Sequence, residues 1–495
     1  MTSRLALALL VCACGAPTLQ HELRPVHRAD GGAPSHQDAG ASDGGADAGT
    51  TTPDAGPHQE PDAGQEDAGS PDAGRVLVDF EPGEASPAGT ATIPTRSVAA
   101  LKQSVFTTST VWRSRFTLGR ALFEVPWQIA PGAQPERDGL GPLFHADACL
   151  SCHPGNGRGA VEAGTIAPAP VLLRISLHDE PIPGLGAQLQ PRAIPGVAAE
   201  GTVSVTSVSE EVDDAWLTRA VVTVSPALPE GAQLSLRISP GLSGLGLLEA
   251  VTDDELALWA DETDADQDGI SGRLAVLPDG RVGRFGWKAL HPTIVSQTAG
   301  ALLEDMGLTN PVFDEGPCVS GQTACLAAPH GGAPEVPQAA FEDLAFYTRL
   351  LGIPARVDAD SADTLAGKQL FHDVGCHRCH RPSLRTAATA QPVELANQTV
   401  WPYSDLLLHD LGEGLADGRS EGAANGREWR TPPLWALSLS TQTVTGRVGY
   451  LHDGRARTLD EAVRWHGGEA TDVVRAYRAL SPEERATLLR FVESL

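Results

Sequence analysis

Two short stretches constrain this chain more than anything else in it: CLSCH, residues 149–153, and CHRCH, residues 376–380. Each sets two cysteines three apart, with a histidine directly after the second. Such a triplet has three chemical uses: a half-site for zinc, a dithiol that shuttles electrons, or an attachment point for haem. A compact four-cysteine zinc site wants its two CxxC pairs within about twenty residues, whereas Cys149 and Cys376 lie 227 residues apart. A redox dithiol gives no role to the histidine that follows in both copies. Haem uses every residue, because both thiols add across its vinyl groups and the adjacent histidine is placed under the iron. Cys149, Cys152 and His153 are therefore expected to hold one covalent haem c, and Cys376, Cys379 and His380 a second. His153 and His380 are the expected proximal iron ligands.

The start of the chain fits such chemistry. MTSRLALALLVCACGAP has one basic residue, Arg4, then an apolar run too short to span a bilayer, then small residues before a cysteine, which is the shape of a secretory signal. The order Val11, Cys12, Ala13, Cys14 resembles a bacterial lipobox, which implies removal of a lipoprotein signal peptide, residues 1–14 up to the cleavage point, and a lipid on Cys14. An ordinary signal peptide with a chance cysteine is the alternative. No later segment reads as a transmembrane helix. The body is thus expected to meet a membrane only through its N-terminal anchor, in the periplasm or at the cell surface.

Residues 15–75 read as a tether. Between 29 and 74 the tripeptide DAG recurs at Asp38, Asp47, Asp54, Asp62, Asp67 and Asp72, with ten acidic residues, no Lys or Arg and no aromatic. Too little apolar surface is available there to offset the entropy of ordering, so a disordered, self-repelling spacer is expected. The whole chain carries a formal charge of −27, and removing those ten acids still leaves −17. A basic nucleic-acid footprint is absent, which argues against DNA or RNA partners. Two cysteines remain, Cys318 and Cys325 in GPCVSGQTACL; an exported protein permits a disulfide between them, and a free thiol pair is the alternative.

AGKQLFHDVGCHRCH, residues 366–380, reads as a short amphipathic helix running into the second hook, with Leu370 and Phe371 facing a core. DGLGPLFHADACLSCH approaches the first hook similarly. Between the hooks, TVSVTSV, AVVTVSP and QLSLRIS alternate as strands do. The expected fold is mainly α. Two cytochrome c-like haem domains, residues 76–345 and 346–495, follow the tether, the first interrupted by a β-rich insertion at about 165–245.

Several further stretches carry a resemblance: GRALFEVPWQIAP, GAQLQPRAIPGVAAEG, DADQDGISGR, RFGWKA, YSDLLLHDLGEGLADG, TPPLWAL and LHDGRARTLDEAVRWHGGEA. From about residue 115 to the C-terminus the chain resembles the bacterial di-haem oxidoreductases once filed as thiol oxidoreductases, relatives of the di-haem cytochrome c peroxidases and of the di-haem enzyme that matures a tryptophan tryptophylquinone cofactor. In the peroxidases a tryptophan sits between the haems, a glutamine follows ten residues on, and an acid just before a methionine lies near the peroxide-binding iron. RFGWKALHPTIVSQTAGALLEDMG has Trp287, then Gln297 at that spacing, then Glu304, Asp305 and Met306. The acids arrive two or three residues early, so Glu304 and Asp305 both stand as candidates. Asp305 is preferred because it directly precedes the methionine. The resemblance thus implies a distal pocket of Asp305 and Gln297, a carboxyl there serving as general acid and base, with Trp287 as electron bridge. Without the resemblance the same residues read as a surface helix with solvated acids and a packed core tryptophan.

Where relatives present TLEEAVxxM, with the methionine on the second iron, this chain has TLDEAVRWH, which places His466 at the ligand position. Leu459, Val463 and His466 share a helical face; a buried structural histidine is the alternative. A histidine in place of methionine lowers haem potential. His145, His409 and His452 are expected to be hydrogen-bonded structural histidines. DADQDGISGR offers Asp264, Asp266 and Asp268 as calcium ligands, but Ala275 stands where an EF-hand needs glutamate, so any Ca2+ site would be completed from elsewhere.

The function expected is that of an exported di-haem c-type oxidoreductase, a peroxidase-like enzyme with a reactive N-terminal haem and an electron-relaying C-terminal haem. Its partners would be a small-molecule oxidant such as hydrogen peroxide and a separate electron donor or reductant. The alternatives are an electron-transfer cytochrome without substrate chemistry of its own, and a haem oxygenase acting on an extracellular substrate.

Overall fold

The computed structural model describes residues 77–105, 109–161, 170–444 and 449–495. The signal peptide with Cys14 and the tether lie outside the described residues. Every described residue belongs to one compact unit running from Asp72 to Leu495.

Helix α1 (Thr110–Glu124) starts where the Ser109 hydroxyl accepts from the Trp112 amide. One turn, α2 (Cys149–Cys152), carries the first hook. Strands β1 (Val171–Leu177), β2 (Thr202–Val212), β3 (Ala215–Ser225) and β4 (Ala232–Ile238) follow. β2 and β3 form a hairpin closed by Asp213 and Asp214, with Asp213 at φ 55°, while β1 and β4 pair across them with Val171 opposite Ile238. Helix α3 (Ile294–Met306) opens on a capping box of Thr293 and Ser296. Next come α4 (Gln338–Leu350) and α5 (Ala362–Asp373), the latter leading into the second hook. A short ladder of β5 (Leu408–Asp410) and β6 (Glu428–Arg430), then α6 (Leu459–Arg464) and α7 (Pro482–Ser494), complete the elements that place the site.

Two helix pairs support the hooks in the same way. α1 lies against α4 closely enough that a Cβ on Gly119 would meet the Asp343 carbonyl oxygen at 2.0 Å. That contact brings Phe123 to 5.3 Å from the Tyr347 ring and 6.3 Å from the His153 ring. α5 approaches α7 through Gly367, where a Cβ would stand 2.5 Å from the Thr487 carbonyl, and Phe371 lies 5.3 Å from Phe491 and 6.3 Å from His380. Each hook histidine thus packs against a phenylalanine edge from its own helix pair.

The segment after the tether is tied to the second pair by a buried charge. Glu84 is 0% exposed; its carboxylate takes Arg356 at 2.5 Å, Lys368 at 2.8 Å and the Tyr403 hydroxyl at 2.7 Å. Truncating one member of such a cluster strands the others in a dry interior. Glu84→Ala is expected to lower the unfolding free energy by about 3–5 kcal/mol, read from the denaturant midpoint. A loss under about 1 kcal/mol, the size of an exposed pair, would show that the cluster is not dry.

The fold-class expectation is corrected by these elements. The described chain is not a mainly α pair of cytochrome c-like domains: six two-stranded antiparallel ladders accompany the helices. They are not confined to one segment, since β5 and β6 lie beside the second hook, with His409 Nδ1 3.6 Å from Cys379 Sγ. Strands of two or three residues pair with partners up to about fifty positions away, and so short an apolar run has no readable period.

Candidate functional site

At the first hook, Cys149 and Cys152 are free thiols, not a disulfide. Burial pushes the Cys149 thiol up to about 12, and Cys152 well above its ordinary value. His153 Nδ1 lies 2.9 Å from the Pro240 carbonyl, which makes it the protonated nitrogen and leaves Nε2 with the lone pair. Burial lowers His153 to about 4, so the ring is neutral, as an iron ligand must be. These three donors do not converge on one point: the clusters at metal-binding distance among the described residues lie elsewhere. A pair of unpaired thiols beside a neutral, oriented imidazole fits haem c and does not fit zinc.

All three residues open onto one cavity, in which the centres of water-sized molecules range over about 250 Å³. Its opposite wall is α3. Gln297, Thr298, Ala301, Glu304 and Asp305 line it because spacings of one, four, seven and eight fall on one helical face. The end of α3 is stitched to the first hook: Asp305 O accepts from the amides of His145 (2.7 Å) and Ala146 (3.0 Å), three residues short of Cys149. Asp305 Oδ1 accepts from Gln188 Nε2 at 2.9 Å, and burial raises this carboxyl to about 6. Gln297 Oε1 is buried with no hydrogen-bond partner. Trp287 also lines the cavity, its Nε1–H donating to the Ile238 carbonyl at 2.8 Å. The structure therefore brings Trp287, Gln297 and Asp305 together around the first hook.

Glu304, the other candidate acid, is already engaged. It pairs with Arg174 at 2.5 Å, and Arg174 continues to Glu421 at 3.1 Å. Glu421 also takes Arg237, and Arg419 at 3.2 Å; Lys288 meets Asp417 at 2.8 Å. This ion network, carried largely by the β1–β4 ladder and the 417–421 loop, holds the Glu421 carboxyl far below its usual range against the opposing effect of burial. Asp305 differs from Glu304 in that its side-chain partner is a neutral amide, Gln188, and not a guanidinium.

The second hook repeats the first. Cys376 and Cys379 are free, burial raises both, and Cys376 reaches about 12. His380 Nδ1 lies 2.9 Å from the Tyr403 carbonyl, and burial lowers the ring to about 4. His466 has the same habit: its Nδ1 lies 2.8 Å from Ala462 O, burial lowers its pKa, and it stands near enough to His380 to disfavour that ring's charge. Two neutral rings with oriented Nε2 atoms are thus near neighbours. His409 behaves differently: burial lowers it, but the Asp405 carboxylate at 3.0 Å and then the Cys379 sulfur outweigh burial and raise it well above its ordinary value, while Glu469 stands 2.8 Å from its Nδ1. His452 stacks on Trp429 at 3.7 Å. His145 is buried with neither ring nitrogen bonded, and burial lowers it to about 4.

The remaining expected sites lie apart. Cys318 and Cys325 are joined, with S–S 2.05 Å. In the aspartate loop the carboxylates of Asp264 and Asp266 gather with Asp261, within 4.8 Å of one another, while Asp268 turns to the Ile270 amide (2.9 Å) and towards Arg378 (3.6 Å). Sequence reasoning missed most of the cavity's polar lining, Arg174, Lys288 and Arg430 as well as four residues near the first hook and α3. Gln188 and Arg237 come from the strand region, Arg158 follows the first hook, and His291 sits between Trp287 and Gln297. Only His291 and Lys288 had a local signal, their place inside RFGWKALHPTIVSQ.

No curated protein sequence matches the chain. A solved structure of hydrazine synthase from Kuenenia stuttgartiensis, pressurized with 20 bar xenon, is similar at 13% identity over 86% of this chain and 98% of that one, with a TM-score of 0.31. A family model described as "Di-haem oxidoreductase, putative peroxidase" matches residues 84–177 and 204–495, which take in both hooks, α3 and the His466 segment. With well over half of its length so matched, the chain belongs to the di-haem oxidoreductase family, and haem is its cofactor.

Proposed function

We propose that this chain is a di-haem c-type oxidoreductase of the peroxidase kind, with a reactive haem at the first hook and an electron-relaying haem at the second. The observation that carries this reading is the cavity shared by His153, Asp305 and Gln297. Bound through Cys149, Cys152 and His153, a haem supplies an iron that takes up a small oxidant and exchanges electrons. The chain's own residues manage the proton and the geometry. Asp305, poised at about 6, can take a proton from one oxygen of hydrogen peroxide and return it to the other near neutral pH. Gln188 holds one of its oxygens still. Gln297 Oε1 accepts from the substrate hydroxyl. Trp287, held by its bond to Ile238, would carry electrons between the cavity and the second haem.

At the second hook His380 and His466 would hold the haem iron between them through their Nε2 atoms. His466→Ala is expected to turn that haem from low spin to high spin, and His466→Met to raise its reduction potential. A spectrum unchanged in both variants would place the ligand elsewhere. The signal-like N-terminus supports export and a lipid on Cys14, with a small-molecule oxidant and a separate electron donor as partners. Low-temperature electron paramagnetic resonance of the oxidised protein tests the reading as a whole. A high-spin signal altered by cyanide is expected from the first haem. Two low-spin irons indifferent to cyanide and carbon monoxide in every redox state would instead make the chain an electron-transfer cytochrome.

A further inference from the structure

Two buried cations at the first cavity have no counter-charge. Arg158 and Arg430 are 6% and 5% exposed, and both line the cavity that holds the first hook. Arg158 donates Nη2 to the Leu451 carbonyl at 2.9 Å, leaves Nε unbonded, and lies 5.4 Å from the centre of the Trp287 ring. Arg430 donates Nε to Gly286 O and Nη1 to Thr431 O, each at 3.0 Å. Its backbone amide donates to Trp287 O at 3.0 Å, so both arginines stand at the Trp287 wall. The nearest acid to act on Arg430 is Asp405, whose carboxylate is already taken by His409 and the Leu407 amide.

The other cations of the same cavity set the contrast. Arg174 has Glu304 and Glu421, Arg237 has Glu421, Lys288 has Asp417 and Arg284 has Asp253. Burial without such a partner lowers Arg158 and Arg430 to about 10, still far above neutral pH, so both stay charged. Two permanent positive charges in a water-poor wall are costly until anions meet them. Backbone carbonyls satisfy some N–H groups but neutralise nothing.

We propose that Arg158 and Arg430 bind the two propionate carboxylates of the haem attached at Cys149 and Cys152, an inference that rests on the first hook holding a haem. The match is one of charge and number: two planar guanidinium forks for two carboxylates. It sets the porphyrin's carboxylate edge at the Trp287 wall, the side from which electrons are proposed to leave.

The test is a stability cycle on the full-length protein. Arg158→Met and Arg430→Met are placed in the parent and in Cys149→Ala/Cys152→Ala, and thermal and urea midpoints are measured. With the haem present each substitution is expected to lower the midpoint, because propionates lose their partner. Without it each is expected to raise the midpoint, because an uncompensated charge is gone. Equal destabilisation in both backgrounds would overturn the proposal and leave the arginines as donors to backbone carbonyls. If the hookless protein does not fold, resonance Raman spectra of loaded Arg158→Gln and Arg430→Gln decide: propionate bending bands shifted from the parent, and restored in part by Lys, support the proposal, and unchanged bands overturn it. Haem content separates the two readings. A Cys149→Ala/Cys152→Ala protein that still carries two haems refutes the first-hook site itself, and this inference with it.

Discussion

Replacing Cys149 and Cys152 by alanine is expected to leave one haem on the polypeptide where the parent keeps two, counted after extraction with acid and organic solvent. Cys376→Ala with Cys379→Ala should remove the other. The effect is all-or-none because thioether bonds survive a treatment that strips a haem held only through its iron. Both thiol pairs are free, and each is directly followed by a neutral histidine whose Nδ1 is held by a backbone carbonyl. Zinc at the first hook would need further thiolates or imidazoles on the same point, and none gathers there among the described residues; at the second hook Cys379 lies within reach of His409 and Asp405, but both carboxylate-clamped nitrogens of His409 are already engaged. Haem that washes out of the parent, or zinc found in its place, would refute the c-type assignment at both hooks.

Asp305→Ala is expected to slow the reaction with hydrogen peroxide by roughly 10²-fold to 10⁴-fold, the loss typical of a missing general acid or base. Glu304→Ala should instead cost stability, because Glu304 is the partner of Arg174. The signature of Asp305 is in the pH profile. Burial lifts its carboxyl to about 6, so the parent's rate should inflect near pH 6, and Asp305→Asn should remove the inflection. The same shift has a sign for stability. A carboxyl raised by folding binds its proton more tightly in the folded chain, so below its ordinary value of 3.8 it favours folding, and that contribution is lost as pH rises through about 6. Asp305→Asn should therefore stabilise the protein more at pH 7 than at pH 4, by thermal midpoint. Trp287→Phe should leave peroxide uptake intact and slow electron passage between the haems. An Asp305→Ala protein as fast as the parent would move the acid elsewhere, with His291 the next residue on the cavity wall.

Much of the site was legible because its signals are local. A CxxCH hook is five consecutive residues, so nothing distant has to be known to find it. The disulfide spans seven positions. Gln297 and Asp305 sit on one helix, and their common face follows from 3.6 residues per turn. The choice between Glu304 and Asp305 was open in the sequence, since adjacent acids differ only in where each side chain points. The fold gives them different partners, Arg174 on β1 for Glu304 and Gln188 for Asp305, and the proposal of Asp305 rests on that difference.

The sequence by itself determined the two CxxCH stretches and the order of tryptophan, glutamine and acid, because each is written in a short contiguous stretch. Only the tertiary structure decided the fold class, the different partners of Glu304 and Asp305, the clamp on His409 and the counter-charges around the cavity. Those depend on pairing segments as distant as Arg174 and Glu421, or Glu84 and Arg356. Short strands lack a period long enough to read. A buried charge is tolerated according to which opposite charge the fold brings to it, a property of the pair that neither residue's neighbours in the chain record.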